Sequence, residues 1–125
     1  MASKILIVDD EEKIRTLIRT SLEFEDGDFE IFEARDGFEA LEKAREIKPK
    51  LMILDVMMPG KSGYEVCKDI KSSPETRDIY VLFLTARGSA ISEKTIQLSG
   101  GDELMIKPFT PDELGKKVRK AIGIT

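Results

Sequence analysis

Five short apolar runs alternate along the chain with stretches in which apolar residues recur at the spacing of a helix. We predict strands at residues 4–8, 29–34, 51–54, 79–84 and 104–106. The run at 51–54 is continuous, as expected for a strand buried on both faces, whereas 29–34 alternates, as an edge or half-buried strand does. This regular alternation of strand and helix predicts an α/β fold with a parallel sheet covered on both faces.

Three of the predicted helices have clear start signals. Asp36, Ser62 and Thr110 are each followed by Glu three residues later, which is the pattern of a capping box. Pro111 would then take the first helical position, where proline fits best. A further helix is predicted over residues 89–98, where the apolar stripe is less regular.

Composition narrows the classes of protein that fit the chain. Its 125 residues and short connections lead us to expect a single domain over residues 1–125. No apolar run is long enough to span a bilayer and no signal peptide is visible, so we expect a cytoplasmic protein without membrane insertion. One cysteine excludes an internal disulfide, and the absence of histidine excludes histidine bases and ligands. The net charge of −4 argues against direct binding of nucleic acid.

Four of the five predicted strands end at a charged or reactive residue. Asp9 and Asp10 follow the first strand, Asp55 the third, Thr85 the fourth and Lys107 the fifth. Each residue alone has an ordinary explanation, such as a helix cap or a solvated surface charge. The carboxyl ends of parallel strands, however, share the edge of the sheet at which ligands bind. The combination therefore predicts a functional site at that edge.

The residue types at this edge indicate a particular chemistry. Three clustered carboxylates repel one another, so either one stays protonated or a cation lies among them. Oxygen ligands without His or Cys favour Mg²⁺ over a transition metal. Lys107 supplies a positive charge that suits a phosphoryl group, and Thr85 supplies a hydroxyl. An Asp in these surroundings can act as the nucleophile of phosphoryl transfer and form an acyl phosphate.

The chain resembles the receiver domains of response regulators, the phosphoacceptor half of two-component systems. The resemblance covers nearly the whole chain and is carried by four segments in their usual order, ILIVDDE, LDVMMPGKSG, LFLTA and IKPF. It implies a flavodoxin-like (βα)5 doubly wound sheet with strand order 2-1-3-4-5. It also implies a signalling domain that promotes its own phosphorylation and dephosphorylation, not an enzyme that turns over an external substrate.

The resemblance assigns roles to the residues of the predicted site. Asp55 would accept a phosphoryl group from a sensor histidine kinase or phosphotransfer protein. Asp10 would bind Mg²⁺ directly and Asp9 largely through water, with the Met57 carbonyl and Asp55 as further ligands; Mn²⁺ would substitute for Mg²⁺. The phosphoryl oxygens would be held by three groups: the Thr85 hydroxyl, the Ala86 amide and the Lys107 ammonium.

Further positions concern switching, rate and docking. Leu104 stands where receivers usually carry an aromatic residue that switches with the threonine, so we expect a changed route of signalling to the downstream protein or output domain. Met57 and Arg87 flank the site and would set the lifetime of the acyl phosphate. The peptide bond before Pro108 is expected to be cis. Candidate contacts with the kinase are Arg15, Ile18, Arg19, Pro108 and Phe109, although core packing is an equally open reading for Ile18.

Three alternatives remain beside the receiver. A dehalogenase-type phosphatase also uses an aspartyl nucleophile, but it requires a second Asp where this chain has Met57. A flavin-binding module on the same fold would need a phosphate-binding loop of Gly, Ser and Thr after the first strand, and the chain has acidic residues there. A receiver used only as an interaction scaffold would not need the complete set of site residues.

Overall fold

The computed structural model describes residues 2–25, 28–86 and 98–123. Over these ranges the chain forms five strands and four helices, numbered in chain order: β1 Ser3–Val8, α1 Glu12–Glu23, β2 Phe29–Ala34, α2 Gly37–Ile47, β3 Leu51–Asp55, α3 Gly63–Ser72, β4 Tyr80–Ala86, β5 Glu103–Lys107 and α4 Pro111–Ile122. The helix predicted over residues 89–98 lies outside the described residues except for Leu98.

All strands of the sheet run parallel, in the order β2-β1-β3-β4-β5. The predicted flavodoxin-like strand order is therefore confirmed. The register aligns Val8 with Leu54, and Asp55 with Leu84, so the carboxyl ends of the central strands lie level with one another. This alignment places the residues that follow β1, β3 and β4 at one edge of the sheet.

Each face of the sheet buries its own apolar core. Along β3, Met52 and Leu54 point into the core beneath α2 and α3, while Leu51 and Ile53 point into the core beneath α1 and α4. All four side chains are fully buried, and burying each stabilises the fold by about 1.5–3 kcal/mol. Burial on both faces explains why the sequence of this strand is continuously apolar.

The predicted helix starts are present, with differences in how they are capped. Ser62 and Glu65 form a complete capping box. Asp36 accepts a hydrogen bond from the Glu39 amide at 2.8 Å, but the Glu39 carboxylate accepts from the amide of Arg35 instead of Asp36. The cap of α4 is the Thr110 hydroxyl, which accepts from the Glu113 amide, with Pro111 at the first position. None of the helices in the described ranges is long and apolar enough to cross a membrane.

Candidate functional site

Three carboxylates meet at the carboxyl edge of the sheet. Asp9 and Asp10 follow β1, and Asp55 is the last residue of β3. One oxygen from each of the three carboxylates lies within 4.8 Å of the other two. Asp9 and Asp55 are buried, with 0% and 5% of their surfaces exposed, whereas Asp10 is exposed. The predicted acidic cluster is thus present and opens to solvent on the side of Asp10.

Lys107 joins the two buried members of this cluster. Its ammonium donates to Asp9 Oδ2 at 3.0 Å and to Asp55 Oδ1 at 3.4 Å. Backbone amides supply two further donors: Glu11 N lies 2.9 Å from Asp9 Oδ1, and Met57 N lies 3.4 Å from Asp55 Oδ1. These contacts fix one oxygen of Asp55 on the side of β5.

Burial and the neighbouring charges destabilise the ionised form of Asp55. Burial, followed by the charge of Asp9, raises the pKa of Asp55 to about 6, and Lys107 offsets only part of this rise. Burial also acts to lower the pKa of Lys107, but its hydrogen bond to Asp9 and the charges of Asp55 and Asp9 outweigh it and raise that pKa above its ordinary value. A cation among the carboxylates would favour the ionised form of Asp55. Three carboxylate oxygens within reach of one another are the donor set that Mg²⁺ prefers.

The loop after β3 is held close to the start of α3. The Val56 amide donates to the Leu84 carbonyl at 3.0 Å, and the Gly63 amide donates to the Val56 carbonyl at 2.9 Å. A Cβ atom at Gly63 would lie 2.3 Å from the Asp55 carbonyl oxygen, so this approach requires glycine. The side chain of Met57, in contrast, is 70% exposed beside the site.

The remaining predicted site residues lie in differing surroundings. Thr85 is buried near the end of β4, and Ala86 ends that strand and is exposed. Leu104 is half-buried and packs against the core on the α2 and α3 side of the sheet. The peptide bond between Lys107 and Pro108 is cis, as predicted. Arg87 lies outside the described residues.

The structure decides between the two interpretations of Ile18 that the sequence left open, docking and core packing. Ile18 is fully buried in the core between the sheet and helices α1 and α4, so it cannot contact a partner, and its place in the helical stripe reflects core packing. Pro108 is exposed, whereas Phe109 is partly buried and packs against the same core. Of Ile18, Pro108 and Phe109, only the last two are therefore accessible to a partner, and Phe109 only in part.

Two arginines of α1 bind an acidic residue that the sequence analysis did not single out. Arg15 Nε lies 3.0 Å from Glu33 Oε1, and Arg19 Nε lies 2.9 Å from Glu33 Oε2. Burial acts to raise the pKa of Glu33, but the hydrogen bonds and charges of the two arginines outweigh it and lower that pKa below its ordinary value. Side chains alternate between the two faces of a strand, so Glu33 lies on the same face of β2 as Ile31, which packs on the α1 side of the sheet. This alternation was the signal in the sequence that could have indicated a contact between Glu33 and α1.

Comparison with known proteins identifies the family. The family model for the response regulator receiver domain matches residues 5–119. The chain belongs to the response regulator receiver family.

Individual relatives agree with this assignment. The chain is 42% identical to the alkaline phosphatase synthesis transcriptional regulatory protein PhoP of Bacillus subtilis, over 95% of this chain and 48% of PhoP. It is 39% identical to the phosphate regulon transcriptional regulatory protein PhoB of Rhizobium meliloti, over 95% of this chain and 52% of PhoB. The chain therefore spans about half the length of the curated relatives it matches.

Solved structures match over nearly their full length. Chemotaxis response regulator CheY4 of Vibrio cholerae superposes with a TM-score of 0.87 at 30% identity, covering 97% of this chain and 99% of CheY4. The receiver domain of AraT, a response regulator from Geobacillus stearothermophilus, gives a TM-score of 0.85 at 29% identity, covering 98% and 95% of the two chains. The chain is thus similar to a receiver domain of a larger regulator and to a chemotaxis regulator of nearly its own length.

Proposed function

We propose that this receiver accepts a phosphoryl group on Asp55 in a Mg²⁺-dependent reaction and thereby switches a surface that a partner reads. The observation that carries the proposal is the position of Asp55: it ends a buried strand, lies 3.4 Å from Lys107, and shares its site with Asp9 and Asp10. This arrangement combines a carboxylate nucleophile with a fixed cation and a set of metal-binding oxygens. The donor would be a sensor histidine kinase or a phosphotransfer protein.

The residues of this chain would perform an in-line transfer. A carboxylate oxygen of Asp55 forms a bond to phosphorus while the bond from phosphorus to the donor's imidazole nitrogen breaks, and the electron pair of that bond stays on nitrogen. Asp9, Asp10, Asp55 and the Met57 carbonyl would hold Mg²⁺, which when bound neutralises charge on the phosphoryl oxygens. The Lys107 ammonium is already directed at Asp55 and would move its contact to a phosphoryl oxygen.

Phosphorylation would then switch the surface around β5 and the helix predicted over residues 89–98, which a partner reads. We infer that the Thr85 hydroxyl and the Ala86 amide contact the phosphoryl group, and that Met57 and Arg87 set how long the acyl phosphate lasts. Relatives of this chain include transcriptional regulators about twice its length and a chemotaxis regulator of similar length, so the partner is either an output domain or a separate protein. The function remains that of a switch and not of an enzyme acting on an external substrate.

We propose that the donor docks beside the active site, on α1 and the segment after β5. Arg19 is 37% exposed in its side chain and Pro108 is exposed, so both can contact a partner. Phe109 would contribute the exposed part of its ring. The side chain of Arg15 is only 14% exposed and already binds Glu33 and the Asp9 carbonyl. These internal contacts explain Arg15 better than a docking role does.

Incubation with acetyl phosphate and Mg²⁺, followed by intact mass measurement, tests the proposed function without a kinase. We expect one phosphoryl adduct on the wild type, none in EDTA and none on Asp55→Asn. The matched control is Asp69→Asn, which removes an exposed carboxylate in α3 that pairs with Lys61 and should label as the wild type does. Absence of label on the wild type would instead favour a receiver that serves only as an interaction scaffold. Label of equal extent on Asp55→Asn would exclude Asp55 as the acceptor.

A further inference from the structure

The backbone of Asp9 is held on both sides by its neighbours in the fold. Its amide donates to the Ala34 carbonyl of β2 at 3.2 Å, and its carbonyl oxygen accepts from Arg15 Nη1 at 2.6 Å. The carboxylate is also bound at both oxygens, by the Glu11 amide and the Lys107 ammonium. Asp9 is completely buried, so these contacts lie inside the protein.

The guanidinium that binds the Asp9 carbonyl is itself fixed. Arg15 Nε is held by Glu33 Oε1 at 3.0 Å, and the other carboxylate oxygen of Glu33 is occupied by Arg19. The Glu33 backbone carbonyl accepts in turn from the Lys43 ammonium of α2. A continuous set of contacts therefore runs from α2 and the end of β2, through Glu33 and Arg15, to the acidic cluster.

We propose that Arg15 is a positioning residue for the metal site, which sets the backbone at Asp9 and so the direction of the Asp9 and Asp10 carboxylates, with Glu33 holding Arg15 in place. This proposal rests on the proposed function, because it assumes that the acidic cluster binds a divalent cation. It replaces a docking role for Arg15 with a role inside the protein. Groups that orient the ligands of a metal commonly change its affinity about tenfold to a hundredfold when they are removed.

The sign of the expected effect separates positioning from simple electrostatics. Arg15 is a positive charge close to a site for a cation, so Coulomb repulsion alone would make its removal tighten metal binding. If Arg15 positions Asp9, its removal weakens metal binding instead. A residue that merely stabilises the fold through an ion pair would change the unfolding midpoint and leave the metal affinity of the folded protein unchanged.

Mn²⁺ binding measures this effect directly, through the electron paramagnetic resonance signal of the free aquo ion in a titration. Arg15→Met is the test variant and Arg19→Met is its matched control. Both variants remove an arginine of α1 that pairs with Glu33, but only Arg15 touches the Asp9 carbonyl. We expect Arg15→Met to bind Mn²⁺ about tenfold more weakly than Arg19→Met, and Arg19→Met to remain within about twofold of the wild type.

Each outcome of the titration decides between the proposals. A wild type that binds no Mn²⁺ would overturn both the metal site and the inference. A wild type that binds, with Arg15→Met equal to or tighter than Arg19→Met, would overturn the inference alone. If Arg15→Met does not fold, Arg15→Lys takes its place with Arg19→Lys as its control: both keep the positive charge, so Coulomb effects alone predict an unchanged affinity, but a single ammonium lacks the guanidinium fork that binds both Glu33 and the Asp9 carbonyl. Mn²⁺ binding at least about threefold weaker in Arg15→Lys than in Arg19→Lys would then support the inference, and a smaller difference would overturn it.

Discussion

Asp55 is a residue whose buried charge destabilises the fold and which is also the proposed site of function. Its carboxylate is buried beside that of Asp9, and only one ammonium, Lys107, compensates the two charges among the described neighbours. The site therefore favours whatever removes or neutralises negative charge, such as a proton or a metal ion. Burial of the ionised carboxylate destabilises the fold, and a raised pKa of this kind is typical of functional groups, in agreement with the proposed role of Asp55 as the phosphoacceptor.

Asp55→Asn should therefore stabilise the metal-free protein. The pKa of Asp55 is raised to about 6 in the folded protein, so the folded state binds more protons than the unfolded state between its ordinary value of 3.8 and about 6. The wild type consequently loses stability as pH rises through this window. We expect Asp55→Asn to raise the free energy of unfolding by about 1–3 kcal/mol at neutral pH in EDTA.

Urea unfolding at a series of pH values checks this prediction. The gain should fade as the pH falls toward the ordinary pKa of the carboxyl group, where Asp55 is protonated in the folded wild type. Asp10→Asn is the control: Asp10 is exposed, so its replacement should stabilise less. An Asp55→Asn protein that is less stable than the wild type at neutral pH would contradict the electrostatic description of the site.

Gly63 is important because it has no side chain. Gly63→Ala would place a Cβ atom 2.3 Å from the Asp55 carbonyl and 2.9 Å from the Val56 Cα, so the backbone after β3 must move. We expect a loss of about 1–3 kcal/mol in stability and slower labelling by acetyl phosphate. In the control, Gly115→Ala, the three nearest atoms to the new Cβ all belong to the carboxylate end of the Glu25 side chain, which can shift at the cost of its ion pair with Arg119, whereas backbone atoms block the Cβ at Gly63. Equal costs for the two variants would show that the close approach at Gly63 is not required.

At the scale of elements, β5 is anchored more firmly than its short length suggests. Asp102, just before the strand, exchanges two hydrogen bonds with Val81 of β4: its amide donates to the Val81 carbonyl at 3.0 Å, and its carboxylate accepts from the Val81 amide at 2.8 Å. Lys71 of α3 binds the same carboxylate at 2.9 Å and the Ile79 carbonyl at 2.6 Å. These contacts fix the start of β5 to its neighbours.

This anchoring agrees with the consequence drawn from Leu104. When its rotamer changes, a leucine buries or exposes less apolar area than the aromatic ring usual at this position of receivers. At about 25 cal/mol per Å², this smaller area contributes less free energy to the difference between the unphosphorylated and phosphorylated conformations. We therefore predict that phosphorylation alters hydrogen exchange mainly in the segment after Thr85 and only slightly in β5. Peptides over residues 85–98 and 101–106, compared with and without beryllofluoride, give the measurement. Equal responses of the two peptides would show that Leu104 replaces the aromatic ring in function.

Element types could be predicted from the sequence because each depends on local pattern. Continuous apolar runs predicted the central strands, and side chains with cap function predicted the starts of α2, α3 and α4. Details that depend on a neighbour outside the local pattern were missed or left open. The Glu39 carboxylate accepts from Arg35, and Ile18 serves the core, because burial and bond partners are decided by packing in three dimensions.

At the scale of the whole molecule, the site is a product of topology. Asp9, Asp55 and Lys107 are far apart in sequence, and a parallel sheet in the order β2-β1-β3-β4-β5 brings their strand ends together. The sequence pattern predicted that these residues share an edge, and family resemblance supplied the strand order. The link from Glu33 through Arg15 to Asp9 could not be predicted, since it joins α1 to β2 through side chains whose meeting depends on how that helix lies on the sheet.

The central claim is that Asp55, and no other carboxylate, carries the phosphoryl group. Borohydride reduces an acyl phosphate to an alcohol and leaves free carboxylates intact, so it converts a phosphorylated aspartate into homoserine. Trypsin releases residues 51–61 as a peptide in which Asp55 is the only acidic residue, while Asp9 and Asp10 fall in the separate peptide 5–13.

Protein treated with acetyl phosphate and Mg²⁺, reduced, digested and sequenced by mass spectrometry should contain homoserine at position 55 and nowhere else. Protein treated in EDTA should contain none. Homoserine in the peptide 5–13, with position 55 unchanged, would contradict the assignment of Asp55 as the phosphoacceptor.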